Sequence, residues 1–214
     1  MAGPPYLPET PSQTAGPFVH IGLAPRAAGF SMWDREPGDD IAGPEAAGER
    51  IRVEGLVLDG TGSPVRDVVL EIWQADAAGR YAHPEGGGPV EPGFRGWGRA
   101  SADFTTGEWA FETVKPGRVR ARAPMRPDPA APPRFMAPHI ALWLVARGIN
   151  AGLHTRLYFD DEAEANAADP VLNLIEQERR RRTLIARRAM RDGRPVYRFD
   201  IRLQGEDETV FFDV

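Results

Sequence analysis

The chain has 214 residues, a formal net charge of −5 and no cysteine. The lack of cysteine excludes disulfide bonds, thiolate metal sites and cysteine nucleophiles. The small negative charge gives no reason to expect a nucleic-acid partner. The length suits one domain of generous size. No apolar run approaches a membrane span and the N-terminus shows no signal peptide, so we expect a cytoplasmic protein.

Residues 1–49 are predicted to form an extended arm and a long loop that pack on another chain. The segment 24–49 is rich in glycine, alanine and proline without a usable period. Long loops of this kind are usually functional or lie across a partner. Turn chemistry is expected at 14–17, followed by a short strand at 18–21. The remainder, 50–214, is predicted to be one β-sandwich domain.

Alternating apolar and polar residues, separated by glycine, proline and aspartate turns, predict about eight strands in all. After the strand at 18–21, the predicted strands cover 50–58, 65–74, 109–114, 139–147, 153–159, 195–203 and 208–214. One helical stretch is expected at 163–188, where leucines and isoleucines can form a narrow apolar face. The pattern predicts an all-β fold: an antiparallel β-sandwich with long loops and one or two short helices.

The strand predicted at 139–147 has two distinct faces, because successive side chains of a strand point in opposite directions. One face carries Ile140, Leu142, Leu144 and Ala146. The other face carries His139, Ala141, Trp143, Val145 and Arg147. A histidine at position 141 would complete a His-x-His pair able to bind a metal from one face. The residue there is alanine, so the pair is absent.

Taken singly, the polar residues do not mark a complete active site. The four histidines stand at positions 20, 83, 139 and 154, too far apart in sequence for a local metal pair. The chain contains no phosphate loop, no G-x-S-x-G and no H-E-x-x-H motif. Arg147 alone is more typical of a surface cation than of a binding residue.

The segment VEGLVLDGTGSPVRDVVLEIWQADAAGRY, residues 53–81, resembles the signature of the intradiol ring-cleavage dioxygenases. The resemblance implies their fold and a mononuclear ferric iron bound by two tyrosines and two histidines, since phenolates suit Fe(III). At the four ligand positions this chain has Tyr81, Val119, His139 and Ala141. Valine and alanine cannot bind a metal. The resemblance therefore implies that this chain holds no metal and no complete catalytic set.

Segments such as TPSQTAGPFVHIGL and LHTRLYFDDEAEANAADPVLNLIEQ resemble the chain without iron in two-chain members of this family. This implies an iron-bearing beta subunit as the partner, with Fe(III) held there, and a higher symmetric hetero-oligomer. Thr14, Gly16, Pro17 and Arg147 would line the substrate pocket of the partner's site. The implied substrates are protocatechuate and O2. Cleavage between the two hydroxylated carbons would give 3-carboxy-cis,cis-muconate, in aromatic catabolism by the beta-ketoadipate pathway.

Two other functions stay open on the sequence. One is a homomeric intradiol dioxygenase for catechol or hydroxyquinol, in which Tyr158 or His154 replaces a missing ligand. The other is a non-catalytic β-sandwich that serves as a binding module. An obligate subunit differs from both because it should expose a large apolar surface when it is alone.

Overall fold

The computed structural model describes residues 11, 13–16, 18–86, 88–122 and 133–213. Within these residues there are eleven strands: β1 (Arg50–Leu58), β2 (Val69–Gln74), β3 (Trp97–Ser101), β4 (Glu108–Val114), β5 (Val119–Arg120), β6 (Phe135–Met136), β7 (His139–Val145), β8 (Leu153–Phe159), β9 (Ile185–Arg191), β10 (Arg194–Arg198) and β11 (Ile201–Arg202). The helices are short: α1 (Val19–Leu23), α2 (Ala163–Ala167), α3 (Glu178–Arg182) and a 3-10 turn at Leu172–Leu174. The predicted all-β fold is confirmed.

Nine of the strands form one sheet, in the order β11-β1-β10-β9-β8-β7-β2-β3, with β4 also paired to β1. Because β3 also contacts β4, the sheet nearly closes on itself. Most strand pairs are antiparallel, as predicted. The pairs β1–β10, β1–β11 and β8–β9 are parallel, so the sheet is mixed.

The core lies on one face of this sheet and follows the alternation in the sequence. In β7 and the residue after it, Ile140, Leu142, Leu144 and Ala146 are all buried, as the predicted faces require. They pack with apolar residues of the neighbouring strands into one cluster, which includes Leu70, Ile72, Ile51, Val53, Trp109 and Phe111. Burial of this apolar area is the main driving force for the fold.

Several sequence predictions are wrong in detail. The segment 18–21 is not a strand, because the helix α1 begins at Val19. The predicted helix at 163–188 breaks into α2, the 3-10 turn and α3, and its last residues enter β9. The segment 195–203 divides into β10 and β11, and β3 was missed. Within the described part of 208–214, pairing is limited to an isolated bridge between Phe212 and His154.

The strand β9 explains why the helical prediction failed. Its alanine and arginine residues have high helix propensity, but they pair with β10 through a two-residue turn at Asp192 and Gly193. Both turn residues have positive φ, 51° and 75°, the conformation of a type I′ hairpin. Tertiary pairing therefore overrides local propensity here. In the described part of the chain, none of the helices combines the length and apolar character needed to span a bilayer.

A buried carboxylate, Asp169, ties the strand region before β7 to the segment after α2. Its Oδ2 accepts a hydrogen bond from the Ala137 amide at 2.7 Å, and its Oδ1 accepts from the Val171 and Leu172 amides at 2.8 Å each. The Tyr158 hydroxyl also donates to Oδ1, at 3.3 Å. Asp169 is fully buried. It therefore satisfies donors that would otherwise be buried without acceptors.

Replacing Asp169 with alanine should destabilise the fold strongly, because it leaves buried amide donors without acceptors. We expect the free energy of unfolding to fall by about 3 kcal/mol, measured by urea titration at low protein concentration. Asp169→Asn, which keeps one acceptor oxygen, should lose less. The exposed Asp34 gives the matched control, since Asp34→Ala removes a carboxylate without a buried role. Equal losses in Asp169→Ala and Asp34→Ala would contradict the assignment.

Candidate functional site

The loop that follows β7 meets the N-terminal segment, which brings Thr14 and Arg147 together. Ala15 forms a parallel β-bridge with Arg147, and the Gly148 amide donates a hydrogen bond to Thr14 Oγ1 at 2.7 Å. Thr14, Gly16 and Arg147 are all exposed. Residues separated by most of the chain thus meet on one surface, three of the four predicted for the substrate pocket. The fourth, Pro17, lies outside the described residues.

Beside this junction is a cleft of about 780 Å³, which we term the Arg147 cleft. Apolar, acidic and basic groups line it together, among them His20, Phe30, Asp67, Phe104, Arg147 and Ile149. Its volume is in the range of small-molecule sites. The cleft is open to the surface.

One side of the Arg147 guanidinium forms an ion pair with Asp67. Its Nε lies 3.2 Å from Asp67 Oδ2, and its side chain is 66% exposed. Among the described residues, Asp67 is the one carboxylate in ion-pair contact with it. The planar fork of the guanidinium offers several donors, so its two terminal amino groups are able to bind an anion while Nε stays paired. Asp67 was not predicted from the sequence.

The floor of the Arg147 cleft contains a buried histidine. The ring of His20 packs edge-to-face against Phe104, with centroids 4.8 Å apart, and its Nε2 atom has no hydrogen-bond partner among the described residues. Burial lowers the pKa of His20, and the nearby charge of Asp67 opposes this. A neutral imidazole is therefore favoured, and it acts as part of an apolar wall.

Tyr81 and His139, the two predicted ligand positions that keep a donor, lie at the opposite end of β7, roughly 25 Å from Arg147 at about 3.3 Å per residue. The Tyr81 hydroxyl and His139 Nε2 are 3.2 Å apart. His139 Nδ1 lies 2.7 Å from the Ala137 carbonyl oxygen. Since a carbonyl can only accept, Nδ1 carries the proton and Nε2 accepts from the Tyr81 hydroxyl. The imidazole lone pair that would bind a metal is therefore engaged.

Both groups of this pair are held neutral. Burial lowers the pKa of His139 to about 4, and the positive charge of Arg156 adds to the effect. Burial raises the pKa of Tyr81, with Arg156 acting in the opposite direction. The Tyr81 ring also stacks on Trp73, with centroids 5.8 Å apart and planes 10° from parallel. The result is a closed, uncharged hydrogen-bonded pair.

The other two predicted ligand positions, 119 and 141, have no donor atom of their own. Val119 is buried in β5 opposite Met136, and Ala141 lies between Trp73 and Arg156 in the sheet. Neither offers a donor atom. Among the described residues there is no group of three or more histidine, cysteine, aspartate or glutamate side chains that could hold a metal ion. The donor set at this end of β7 therefore does not fit a ferric ion.

The homomeric alternative required Tyr158 or His154 as a replacement ligand. The Tyr158 hydroxyl is buried and donates to Asp169 at 3.3 Å, and burial together with that carboxylate raises its pKa further above the ordinary range. His154 is exposed and lies opposite Trp143 in the sheet. Trp143 is four residues from His139, which is roughly 13 Å along the strand. Neither residue is available to complete the set.

Comparisons with known proteins agree with the sequence resemblance. The dioxygenase family model matches residues 30–205. The chain is 57% identical over 207 residues to the protocatechuate 3,4-dioxygenase alpha chain of Pseudomonas putida, a match that covers 97% of each protein. It is 37% identical over 171 residues to the protocatechuate 3,4-dioxygenase beta chain of Burkholderia cepacia, covering 77% of this chain and 68% of that one.

Among solved structures, the fold resembles that of 3-chlorocatechol 1,2-dioxygenase from Rhodococcus opacus. The TM-score is 0.59 at 19% sequence identity, and the match covers 94% of this chain and 69% of the other. At this identity the likeness concerns the fold alone. It agrees with a nearly closed, strand-rich architecture.

The neutral state of His139 should make stability depend on pH. Its pKa is about 4 in the folded chain and ordinarily 6.5, so between these values the unfolded chain binds more protons. Stability is then complete above about pH 6.5 and falls as the pH is lowered through this window. From pH 7 to pH 5 this histidine should remove about 2 kcal/mol from the free energy of unfolding.

Urea titrations at both pH values test this expectation. His139→Asn, which cannot titrate but keeps a donor for the Ala137 carbonyl, should show a smaller change than the natural chain. The exposed His154 provides the control, because His154→Asn should leave the pH dependence unchanged. If His139→Asn keeps the full pH dependence, another group is responsible.

Proposed function

The chain belongs to the dioxygenase family of intradiol ring-cleaving enzymes, and we propose that it is the non-iron-binding alpha subunit of a protocatechuate 3,4-dioxygenase. Its partner is an iron-bearing beta subunit. The main support for the proposal is the difference between the two ends of β7. The ligand set at its beginning is incomplete and closed, whereas the Arg147 cleft after its end is open and lined by charged and apolar groups together.

The proposed reaction is cleavage of protocatechuate by O2 between its two hydroxylated carbons. Both oxygen atoms enter the product, 3-carboxy-cis,cis-muconate, as part of aromatic catabolism through the beta-ketoadipate pathway. The family consists of non-haem iron enzymes. The donors of this chain do not fit iron, so we assign Fe(III) to the beta subunit and assign binding and orientation of the substrate in part to this chain.

Arg147 is proposed to orient the substrate carboxylate. A guanidinium stays charged at all physiological pH values and matches a carboxylate with parallel hydrogen bonds. Asp67 holds Nε at 3.2 Å and so limits the directions in which the rest of the fork can point. Thr14, Gly16 and Pro17 would form a wall of low bulk, which allows a flat aromatic ring to approach the backbone.

The exposed apolar residues of the N-terminal part support a partner at the same surface. Five large hydrophobic side chains between residues 18 and 33 are at least 42% exposed: Phe18, Ile21, Phe30, Met32 and Trp33. Two of them, Ile21 and Phe30, line the Arg147 cleft. Exposed apolar groups at this density are typical of protein interfaces. We therefore propose that residues 1–49 pack on the beta subunit and that 50–214 is the β-sandwich domain.

The assembly is proposed to be a closed symmetric oligomer of alpha–beta pairs, the usual form of soluble oligomers. The cytoplasmic location expected from the sequence stays a prediction.

Measurements of iron content and oxygen uptake test whether the beta subunit holds the iron. Purified alone, this chain should contain no stoichiometric iron and show no protocatechuate-dependent oxygen uptake, because two ligand positions lack donors. Co-expressed with the beta subunit, the pair should contain about one iron and consume oxygen. Stoichiometric iron and catechol cleavage by the isolated chain would contradict the proposal.

The role of Arg147 is tested in the co-purified pair. Losing a charge-assisted hydrogen bond to a carboxylate costs about 1.5–3 kcal/mol, so Arg147→Ala should raise KM for protocatechuate by roughly tenfold to a hundredfold. Catechol, which has no carboxylate, should be affected far less. Arg187, exposed on β9, provides the matched control: Arg187→Ala should leave both substrates unchanged. Equal effects of Arg147→Ala on both substrates would show a general structural role instead.

A further inference from the structure

The lost ligand position at Ala141 is next to a positively charged residue. In the register of the sheet, Ala141 pairs with Trp73 of β2 on one side and with Arg156 of β8 on the other. Directly opposed residues of antiparallel strands project from the same face. The side chain of Arg156 therefore leaves the sheet beside the alanine methyl, on the face that also carries His139.

Arg156 is partly buried and has unusual neighbours for a guanidinium. Its Nη1 atom lies 3.5 Å from Met136 Sδ, and its guanidinium carbon lies 5.9 Å from the centre of the Phe212 ring. Among the described residues, no carboxylate forms an ion pair with it. Its positive charge lowers the pKa of Tyr81, His139 and Tyr158, and the buried carboxylate of Asp169 opposes this at His139 and Tyr158.

We propose that Arg156 takes the place of the metal ion in this chain: its fixed positive charge beside Tyr81 and His139 keeps a metal cation out. The inference rests on the proposed function, in which the beta subunit holds the iron. It adds that the loss of metal binding here has two independent causes. One is the missing donors at positions 119 and 141, and the other is a permanent cation on the residue that pairs with position 141.

The charge of arginine cannot be relieved by losing a proton, since a guanidinium stays protonated in proteins. A trivalent ion bound by Tyr81 and His139 would face this charge in a partly desolvated site, where charges are screened less than in water. Restoring the two donors alone should therefore not restore binding. Removal of the positive charge is also required.

The test uses the co-purified alpha–beta pair and counts iron per pair. The natural pair should hold about one iron, on the beta subunit. The double variant Val119→Tyr with Ala141→His should stay at about one. Adding Arg156→Gln should raise the count towards two and increase the visible absorption of tyrosinate bound to Fe(III). Adding Arg156→Lys instead, which keeps the charge, should leave the count at one.

The outcomes distinguish the proposed function from the role of the Arg156 charge. A natural pair without iron contradicts the proposed function itself. A second iron in the double variant or in the lysine variant overturns the role of the Arg156 charge, and so does a triple glutamine variant that still holds one iron.

A second comparison covers the case in which tyrosine at position 119 prevents the pair from assembling. Ala141→His alone supplies three donors with Tyr81 and His139. Co(II), followed by its visible absorption, should bind at least tenfold more tightly when Arg156→Gln is added to Ala141→His. Equal affinities in the two variants would overturn the inference.

Discussion

The pairing of β7 between β2 and β8 is the constraint on which both ends of the molecule depend. Its register places alternate residues of β7 in the core. A slip of one residue would turn these apolar side chains outward and bring the polar face inside. Because burial of the apolar face determines the register, it also determines the positions of His139 at the start of β7 and of Arg147 just after its end. Sites roughly 25 Å apart are thus positioned by the same set of backbone hydrogen bonds.

The two ends have opposite physical character. At the beginning of β7, burial keeps both Tyr81 and His139 neutral, the charge of Arg156 adds to this effect at His139, and the two side chains are bonded to each other. At the other end, Arg147 is largely exposed and only partly paired by Asp67. Within the part of the chain that the structure describes, Arg147 can hold a carboxylate, and there is no group of three or more histidine, cysteine, aspartate or glutamate side chains that could hold iron. The names of its relatives as alpha and beta chains agree with the proposal that a second chain completes the site.

The sequence predicted the sheet core well because hydrophobic alternation is a local signal. The bounds of β1 and β8 were predicted to the residue, and the two faces of β7 are confirmed. The failure at 185–188 came from interpreting the leucines and isoleucines of 163–188 as the apolar face of one helix. The hairpin signal Asp192-Gly193 was present in the sequence and would have corrected it.

The site was predictable only in part. The missing donors at Val119 and Ala141 follow from the residue types alone, once the family's ligand positions are known. The ion pair of Asp67 with Arg147 and the position of Arg156 beside Ala141 do not, because both depend on strands that are distant in sequence. The pairing of Ala15 with Arg147 likewise joins opposite parts of the chain. Such contacts are set by tertiary register, which no local pattern encodes.

The central claim is that the Arg147 cleft completes an iron site held by another chain. A crystal structure of the co-purified pair with protocatechuate, with iron located by anomalous scattering, tests it most directly. The account predicts iron on the beta subunit, no iron near Tyr81 and His139, and the substrate carboxylate within hydrogen-bond reach of Arg147. Iron bound at Tyr81 and His139, or an Arg147 cleft facing away from the beta subunit's iron, would contradict it.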